Sequence, residues 1–87
     1  NVISQLQLNG KVCRLTFVGD STGKPLLSQL SKEFNVEPNI LTANIIELKN
    51  GIVGNLVIHL IGNEEEINSA IAFLNEQNVG VEELEEN

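Results

Sequence analysis

The sequence predicts an α+β domain in which two helices cover one face of an antiparallel four-stranded sheet. The first observation is the spacing of apolar residues, which changes along the chain between every second residue, as in a strand, and every third or fourth, as in a helix. The second is the order of these segments, which is strand, helix, strand, strand, helix, strand. The third is that Gly, Pro and Asn separate them, as they do in turns. A chain of 87 residues forms one domain.

The first strand and the first helix are predicted at residues 12–18 and 25–35. Alternation within residues 12–18 places Cys13, Leu15 and Phe17 on one face of the strand. Pro25 suits the first position of a helix, where its missing amide hydrogen costs nothing, and Asn35 suits the end. The buried stripe of this helix is predicted to consist of Leu26, Leu27, Leu30 and Phe34.

The second and third strands are predicted at residues 40–48 and 55–61. Asn50-Gly51 between them is a turn pair, so the two strands should form a hairpin. The neighbours Ile45 and Ile46 interrupt the alternation of the second strand, which indicates either a β-bulge or contacts on both faces. In the third strand, one face consists of Leu56, Ile58 and Leu60.

The second helix begins after Asn63, a residue that suits an N-cap, and Glu66 follows three residues later as in a capping box. Its buried stripe is predicted to be Ile67, Ala70, Ile71 and Leu74, and Asn78 ends it. Residues 79–84 then form a short last strand, followed by an acidic tail at residues 85–87. Connection rules pack this βαββαβ order as the ferredoxin-like arrangement, with both helices on one face of the sheet.

Residues 1–11 allow two interpretations. Leu6 and Leu8 alternate before Asn9-Gly10, which is the strongest short signal for a hairpin. An extra N-terminal strand would therefore pair with the first strand or with a partner chain. The alternative is that these residues are a linker.

The composition excludes several classes of function. The formal net charge of −7 repels phosphate backbones and anionic lipid headgroups, so we expect no binding to nucleic acid or directly to a membrane. Cys13 is the only cysteine, which excludes an intrachain disulfide and makes the cytoplasm the expected compartment. The chain begins at Asn1 and has no apolar stretch near the roughly 20 residues that span a bilayer, so we expect a piece of a longer protein.

Three features that could carry chemistry are better explained structurally. The loop at residues 19–24 has one residue too few between its glycines for a nucleotide-binding motif, and Pro25 stands where that motif needs Ser or Thr. His59 has no Cys or second His at metal-ligand spacing, so a surface or interface role is expected. Cys13 lies on the predicted core face without a His to activate it. We therefore expect no enzyme activity, no metal and no cofactor.

The segment Asn39-Ile40-Leu41, which follows the first helix, resembles the NIL domain family, which takes its name from these three letters. The resemblance covers residues 12–84. Further elements occur in the order and at the spacings of that family, namely Leu15, Phe17, Gly19, Pro25-Leu26-Leu27, Phe34, Asn44-Ile45, Gly54 and Ala70-Ile71-Ala72-Phe73-Leu74.

The resemblance implies a regulatory domain of the ATP-binding subunit of a methionine importer. Such a domain binds L-methionine at a homodimer interface and inhibits transport, and its parent protein lies at the inner face of the cell membrane with a permease as partner. The substrate-contacting asparagine of the family corresponds to Asn39, whose amide can both donate and accept hydrogen bonds. Ile40 and Leu41 would give the thioether an apolar wall.

Other interpretations of the same residues stay open. Asn39 could be a turn residue after Pro38, and Ile40 and Leu41 could belong to the core. The domain could also be a dimerisation module without a ligand, or a sensor of another small apolar amino acid.

Overall fold

Four antiparallel strands form one sheet in the computed structural model, which describes residues 2–19 and 24–85. The strands lie side by side in the order β2-β3-β1-β4, which confirms the predicted ferredoxin-like arrangement. Residues 20–23 of the loop examined for a nucleotide motif, and the last two residues of the acidic tail, lie outside the described residues. The elements are α1 (Val2–Leu6), a 3₁₀ turn (Gln7–Asn9), β1 (Gly10–Val18), α2 (Leu26–Glu33), β2 (Glu37–Leu48), β3 (Gly51–Ile61), α3 (Glu64–Glu76) and β4 (Gly80–Leu84).

The core lies between α2, α3 and the sheet face that they cover, which we call the helix face. Alternation along β1 and β3 places the predicted apolar side chains on this face, because successive residues of a strand point to opposite sides. The opposite side, which carries Arg14, Asn55 and Val57, is called the open face. The fully buried core side chains are Cys13, Leu15, Leu30, Ile58, Leu60, Ala70 and Leu74.

Helix α3 begins and ends where the sequence predicts. The side chain of Asn63 accepts a hydrogen bond of 2.8 Å from the amide of Glu66, which satisfies one of the free donors of the first turn. The Glu66 carboxylate accepts a hydrogen bond of 3.2 Å from the backbone amide of Asn35. This bond connects the segment between α2 and β2 to helix α3. Asn78 takes the left-handed conformation, with φ at 63°, that commonly stops a helix. Helix α2 is shorter than predicted: Pro25 is its N-cap, and it ends at Glu33 instead of Asn35.

Strands β2 and β3 form the predicted hairpin, although both begin earlier in the chain than expected. The pairing runs from Glu37 opposite Ile61 to Leu48 opposite Gly51. Its register shifts between Ile40 and Thr42, so the bulge lies there and not at Ile45 and Ile46. The two isoleucines interrupt the apolar alternation because they point to opposite faces of the sheet.

The extra N-terminal strand, one of the two interpretations of residues 1–11, is wrong. Residues 2–9 are helical, as α1 and the 3₁₀ turn, and β1 begins at Gly10. The reason is topological. A hairpin through Asn9-Gly10 needs a free edge on β1, but β1 is central and is paired on one side with β3 and on the other with β4.

Gly10 is required at the start of β1 because the chain passes close to β3 at this point. A Cβ on Gly10 would collide with the carbonyl oxygen of Leu60, which belongs to the backbone and cannot rotate away. At Gly80, by contrast, a Cβ would lie 3.5 Å from Cβ of Thr16, an ordinary van der Waals contact.

We predict that Gly10→Ala lowers the free energy of unfolding by about 2 kcal/mol, the usual cost of forcing extra volume into a packed site. Gly80→Ala is the matched control and should change it by less than about 1 kcal/mol. Urea denaturation of both variants gives the comparison. Equal destabilisation of the two variants would contradict the proposed collision with Leu60.

Candidate functional site

The three residues predicted to bind a ligand lie consecutively in β2. Asn39 pairs with His59 on the open face, Ile40 pairs with Ile58, and Leu41 is the extra residue of the bulge. Asn39 is thus part of a strand, and its interpretation as a turn residue is wrong. Ile40 and Leu41 are also not core residues, because 51% and 44% of their surfaces are exposed. The structure brings Asn39 next to His59 but does not place all three side chains on one surface.

The trio does not line any of four clefts that the described residues form. These clefts have volumes of about 300 to 540 Å³, and none of them has Asn39, Ile40 or Leu41 in its lining. One apolar cleft, of about 300 Å³, lies between the start of α2 and the helix face of the hairpin, with walls that include Phe17, Leu27 and Leu56. Ligand pockets normally bury most of a ligand. A ligand on Asn39 would therefore need a further wall that this one chain does not supply.

Strand β2 forms an outer edge of the sheet and is exposed over nearly its whole length. Of its twelve residues only Pro38 is partly buried. The charged residues of the strand, Glu37 and Glu47, lie near its two ends. An edge that is long, apolar and poor in charge is a template for pairing with another chain. Its large exposed side chains are Ile40, Leu41, Ile45, Ile46 and Leu48.

His59 is buried on the open face, where the sequence predicted a surface or interface residue. It is 4% exposed, and its ring Nε2 lies 2.8 Å from the carbonyl oxygen of Leu6, to which it donates a hydrogen bond. The cover comes from α1 of the same chain. Sequence reasoning missed this contact because residues 2–9 carry no strong helical period.

Cys13 is a buried thiol, as its position on the core face predicts. None of its surface is exposed. Burial raises its pKa to about 11, the nearby Glu83 carboxylate adds to the rise, and Lys11 offsets part of it. A neutral thiol with no solvent access cannot act as a nucleophile at physiological pH.

Residues 2–19 and 24–85 contain no group of three or more His, Cys, Asp or Glu side chains that could hold a metal ion. No helix in this part of the chain is long and apolar enough to span a membrane.

Comparison with known proteins identifies the family. The sequence model of the NIL domain matches residues 11–83. The chain belongs to the NIL domain family. The methionine import ATP-binding protein MetN 1 of a Bacillus cereus strain is 45% identical over 82 residues, which are 94% of this chain and 24% of that protein. The MetN 1 protein of Bacillus anthracis is 47% identical over 81 residues, 93% of this chain and 23% of that protein.

A solved structure has the same fold as this chain. The C-terminal domain of an ABC transporter ATP-binding protein from Enterococcus faecalis superposes with a TM-score of 0.78 at 34% identity. The match covers 99% of this chain and 94% of that chain. NIL domains are small regulatory domains of ABC transporter ATP-binding subunits, and the chain spans about a quarter of the length of the curated relatives it matches.

The buried thiol gives a direct test of the core. We predict that Cys13 of the folded chain reacts with Ellman's reagent at pH 8 at least about 100-fold more slowly than in 8 M urea, because burial removes both access and the thiolate. Release of the coloured thiolate measures the rate, and Cys13→Ser provides the blank. Comparable rates in the folded and unfolded chain would show that the helix face is not closed over β1.

Proposed function

We propose that this NIL domain binds L-methionine at a homodimer interface formed by β2 and thereby inhibits a methionine importer. The observation that carries the proposal is the coincidence of two properties in one strand. β2 contains the Asn39-Ile40-Leu41 segment, and it is also the exposed apolar edge of the sheet. Both the ligand and the partner are thereby assigned to the same surface.

The chemistry of Asn39 suits an amino acid. Its side-chain amide offers two N–H donors and a carbonyl acceptor, so it can meet the carboxylate and the ammonium group of one ligand. Leu41, the extra residue of the bulge, is exposed next to Asn39 and can contact an apolar side chain. Ile40 is also exposed, but it pairs with Ile58 on the helix face, so it would contact the ligand only around the outer edge of the strand. A second copy of the chain, seated along β2, would supply the wall that a single copy lacks.

The edge of β2 suits a second copy of the chain. Two β2 strands that pair antiparallel about a two-fold axis present the same surface to each other, as isologous dimers do. Each copy carries a net charge of −7, which opposes association in general. Along β2 the charged residues are only Glu37 and Glu47, so ten of the twelve residues bring no charge into the contact.

Regulation follows if methionine binds one arrangement of the two domains better than another. A ligand shifts a conformational equilibrium only by its difference in affinity for the two states. In the parent protein that shift would favour the resting transporter. The ATP-binding part of the same chain, the membrane permease and a position at the cytoplasmic face of the membrane are parts of this proposal, supported by the names of the relatives.

Two other functions are compatible with individual features. The exposed edge of β2 by itself would serve a dimerisation module that binds no ligand. Asn39 would contact only groups common to all amino acids, so selectivity for the ligand side chain would depend mainly on Leu41 and the partner chain. A sensor of another small apolar amino acid would use the same surface.

Calorimetric titration with L-methionine distinguishes these functions. We expect binding to the wild-type chain, at least about tenfold weaker binding to Asn39→Ala because a charge-assisted hydrogen bond is lost, and an unchanged affinity for Asn75→Ala. Asn75 is the matched control, since it is an exposed asparagine of α3 and lies outside β2. Heat with leucine or valine but none with methionine would indicate another sensor. No heat with any amino acid, together with a dimer, would indicate a dimerisation module.

Sedimentation velocity tests the role of β2 in association. We expect the wild-type chain to sediment as a dimer and Ile45→Lys as a monomer, because an ammonium group would replace an apolar side chain in the contact and charged side chains on an edge strand oppose pairing. Ile45 is 67% exposed in the single chain, so the substitution leaves the fold intact. Leu8→Lys is the control, at a position that is 86% exposed and outside β2. A dimer that survives Ile45→Lys would place the interface elsewhere.

A further inference from the structure

Hydrogen bonds that involve His59, Gln7 and Gly62 attach residues 2–9, which we call the N-terminal segment, to the sheet and to the residue after β3. His59 Nε2 donates to the carbonyl oxygen of Leu6 at 2.8 Å, and Gln7 Nε2 donates to the carbonyl oxygen of Leu84 at 3.3 Å. The amide of Gly62 donates to the carbonyl oxygen of Asn9 at 3.2 Å. The segment is therefore part of the folded domain and makes contact with β3, with β4 and with the residue that follows β3.

The segment covers one row of the open face. Val12 of β1, His59 of β3 and Asn39 of β2 are direct partners across the three strands, so their side chains lie on the same side of the sheet. Val12 is 1% and His59 is 4% exposed, although α2 and α3 lie on the opposite face. Direct cross-strand partners have Cα atoms only about 5 Å apart. The cover over Val12 and His59 thus ends next to Asn39.

The bond from His59 differs from those made by Gln7 and Gly62. It is made by a buried side chain in the middle of the row, whereas the Gln7 and Gly62 bonds lie at the margin of the sheet. When the segment undocks, Val12 and His59 become exposed to water, so the docked position is favoured by the burial of both side chains and by the net gain of the bond from His59. Of these contributions, the bond is the one that a substitution of His59 removes selectively.

We propose that His59 is a positioning residue for the ligand surface at Asn39. It holds the N-terminal segment against the sheet so that the segment forms a side wall of that surface, and ligand binding and segment docking favour each other. The inference rests on the proposed function for its ligand. Ligand binding at Asn39 would thereby stabilise the docked position of the N-terminal segment, through which the domain would be connected to an ATP-binding part.

Thermodynamic linkage allows the coupling between segment docking and methionine binding to be measured either through the affinity or through the order of the segment. If docking of the segment raises the affinity for methionine, bound methionine must stabilise the docked segment by the same factor. Couplings of this kind are commonly about fivefold or larger. Two independent readouts, affinity and backbone order of the segment, should therefore change together.

The experiment compares His59→Leu, His59→Gln and Ile58→Val with the wild-type chain. His59→Leu removes the donor, and His59→Gln keeps an N–H donor near the position of Nε2. Ile58→Val destabilises the core from the neighbouring position of the same strand, where the side chain is fully buried and does not face the segment. Heteronuclear ¹H–¹⁵N NOEs of residues 2–9 report backbone order, and calorimetry with L-methionine reports affinity.

We expect rigid backbone values for residues 2–9 in the wild-type chain, a selective loss of order in His59→Leu and recovery in His59→Gln. Methionine affinity should fall about fivefold or more in His59→Leu, recover in His59→Gln and stay unchanged in Ile58→Val. Unchanged order of the segment in His59→Leu, or loss of order without loss of affinity, would overturn the inference.

The test separates this inference from the proposed function. If the wild-type chain binds no methionine while His59→Leu still releases the segment, the proposed function fails, and with it the coupling, although the role of His59 in docking stands. If methionine binds with equal affinity to wild type and His59→Leu, the proposed function stands and the positioning role of His59 fails.

Discussion

The pairing of β1 on both of its sides is the constraint on which the rest of the structure depends. Because β3 and β4 occupy the two sides of β1, the β2–β3 hairpin can only extend the sheet outward, and β2 becomes an edge. The same constraint prevents residues 2–9 from forming a hairpin with β1, and they pack as a short helix and a 3₁₀ turn on the open face. Both surfaces considered for function, the edge of β2 and the row beside His59, follow from the position of β1.

The two faces of the sheet differ in burial and in their contribution to stability. The helix face buries the aliphatic core and the thiol of Cys13, and stability depends mainly on it. The open face carries polar residues such as Thr16 and Asn55, and α1 covers only one end of it. A domain with a closed core and an exposed edge of this kind can change its partners without unfolding. That property suits a regulatory domain.

Local patterns were sufficient to predict the four strands, the helices α2 and α3, and the fold. Alternation in β1, the turn at Asn50-Gly51 and the cap at Asn63 each depend on residues close in sequence, and each is confirmed. The burial of His59 could not be predicted in this way, because its cover is provided by Leu6, far away in the chain. A bulge at Ile45 and Ile46 was one of the two explanations for these adjacent apolar residues. The sequence alone does not distinguish such a bulge from regular pairing in which the two side chains point to opposite faces of β2, as they do in the structure.

The candidate site was predicted only through the resemblance to the NIL domain family. Composition and spacing alone do not distinguish Asn39 in a strand from Asn39 in a turn after Pro38, and that distinction decides where its amide lies. The structure adds two properties that no local pattern contains. Asn39 stands beside a buried histidine, and it belongs to an edge strand with large exposed apolar side chains.

The central claim is that ligand and partner share the edge of β2, and nuclear Overhauser effects from methyl-labelled L-methionine bound to the chain test it most directly. We predict contacts from the ligand methyl group to Leu41 and, in a sample that mixes labelled and unlabelled chains, contacts between the two β2 strands. Ligand contacts to Phe17 and Leu27 instead, in the apolar cleft on the helix face, would contradict the account.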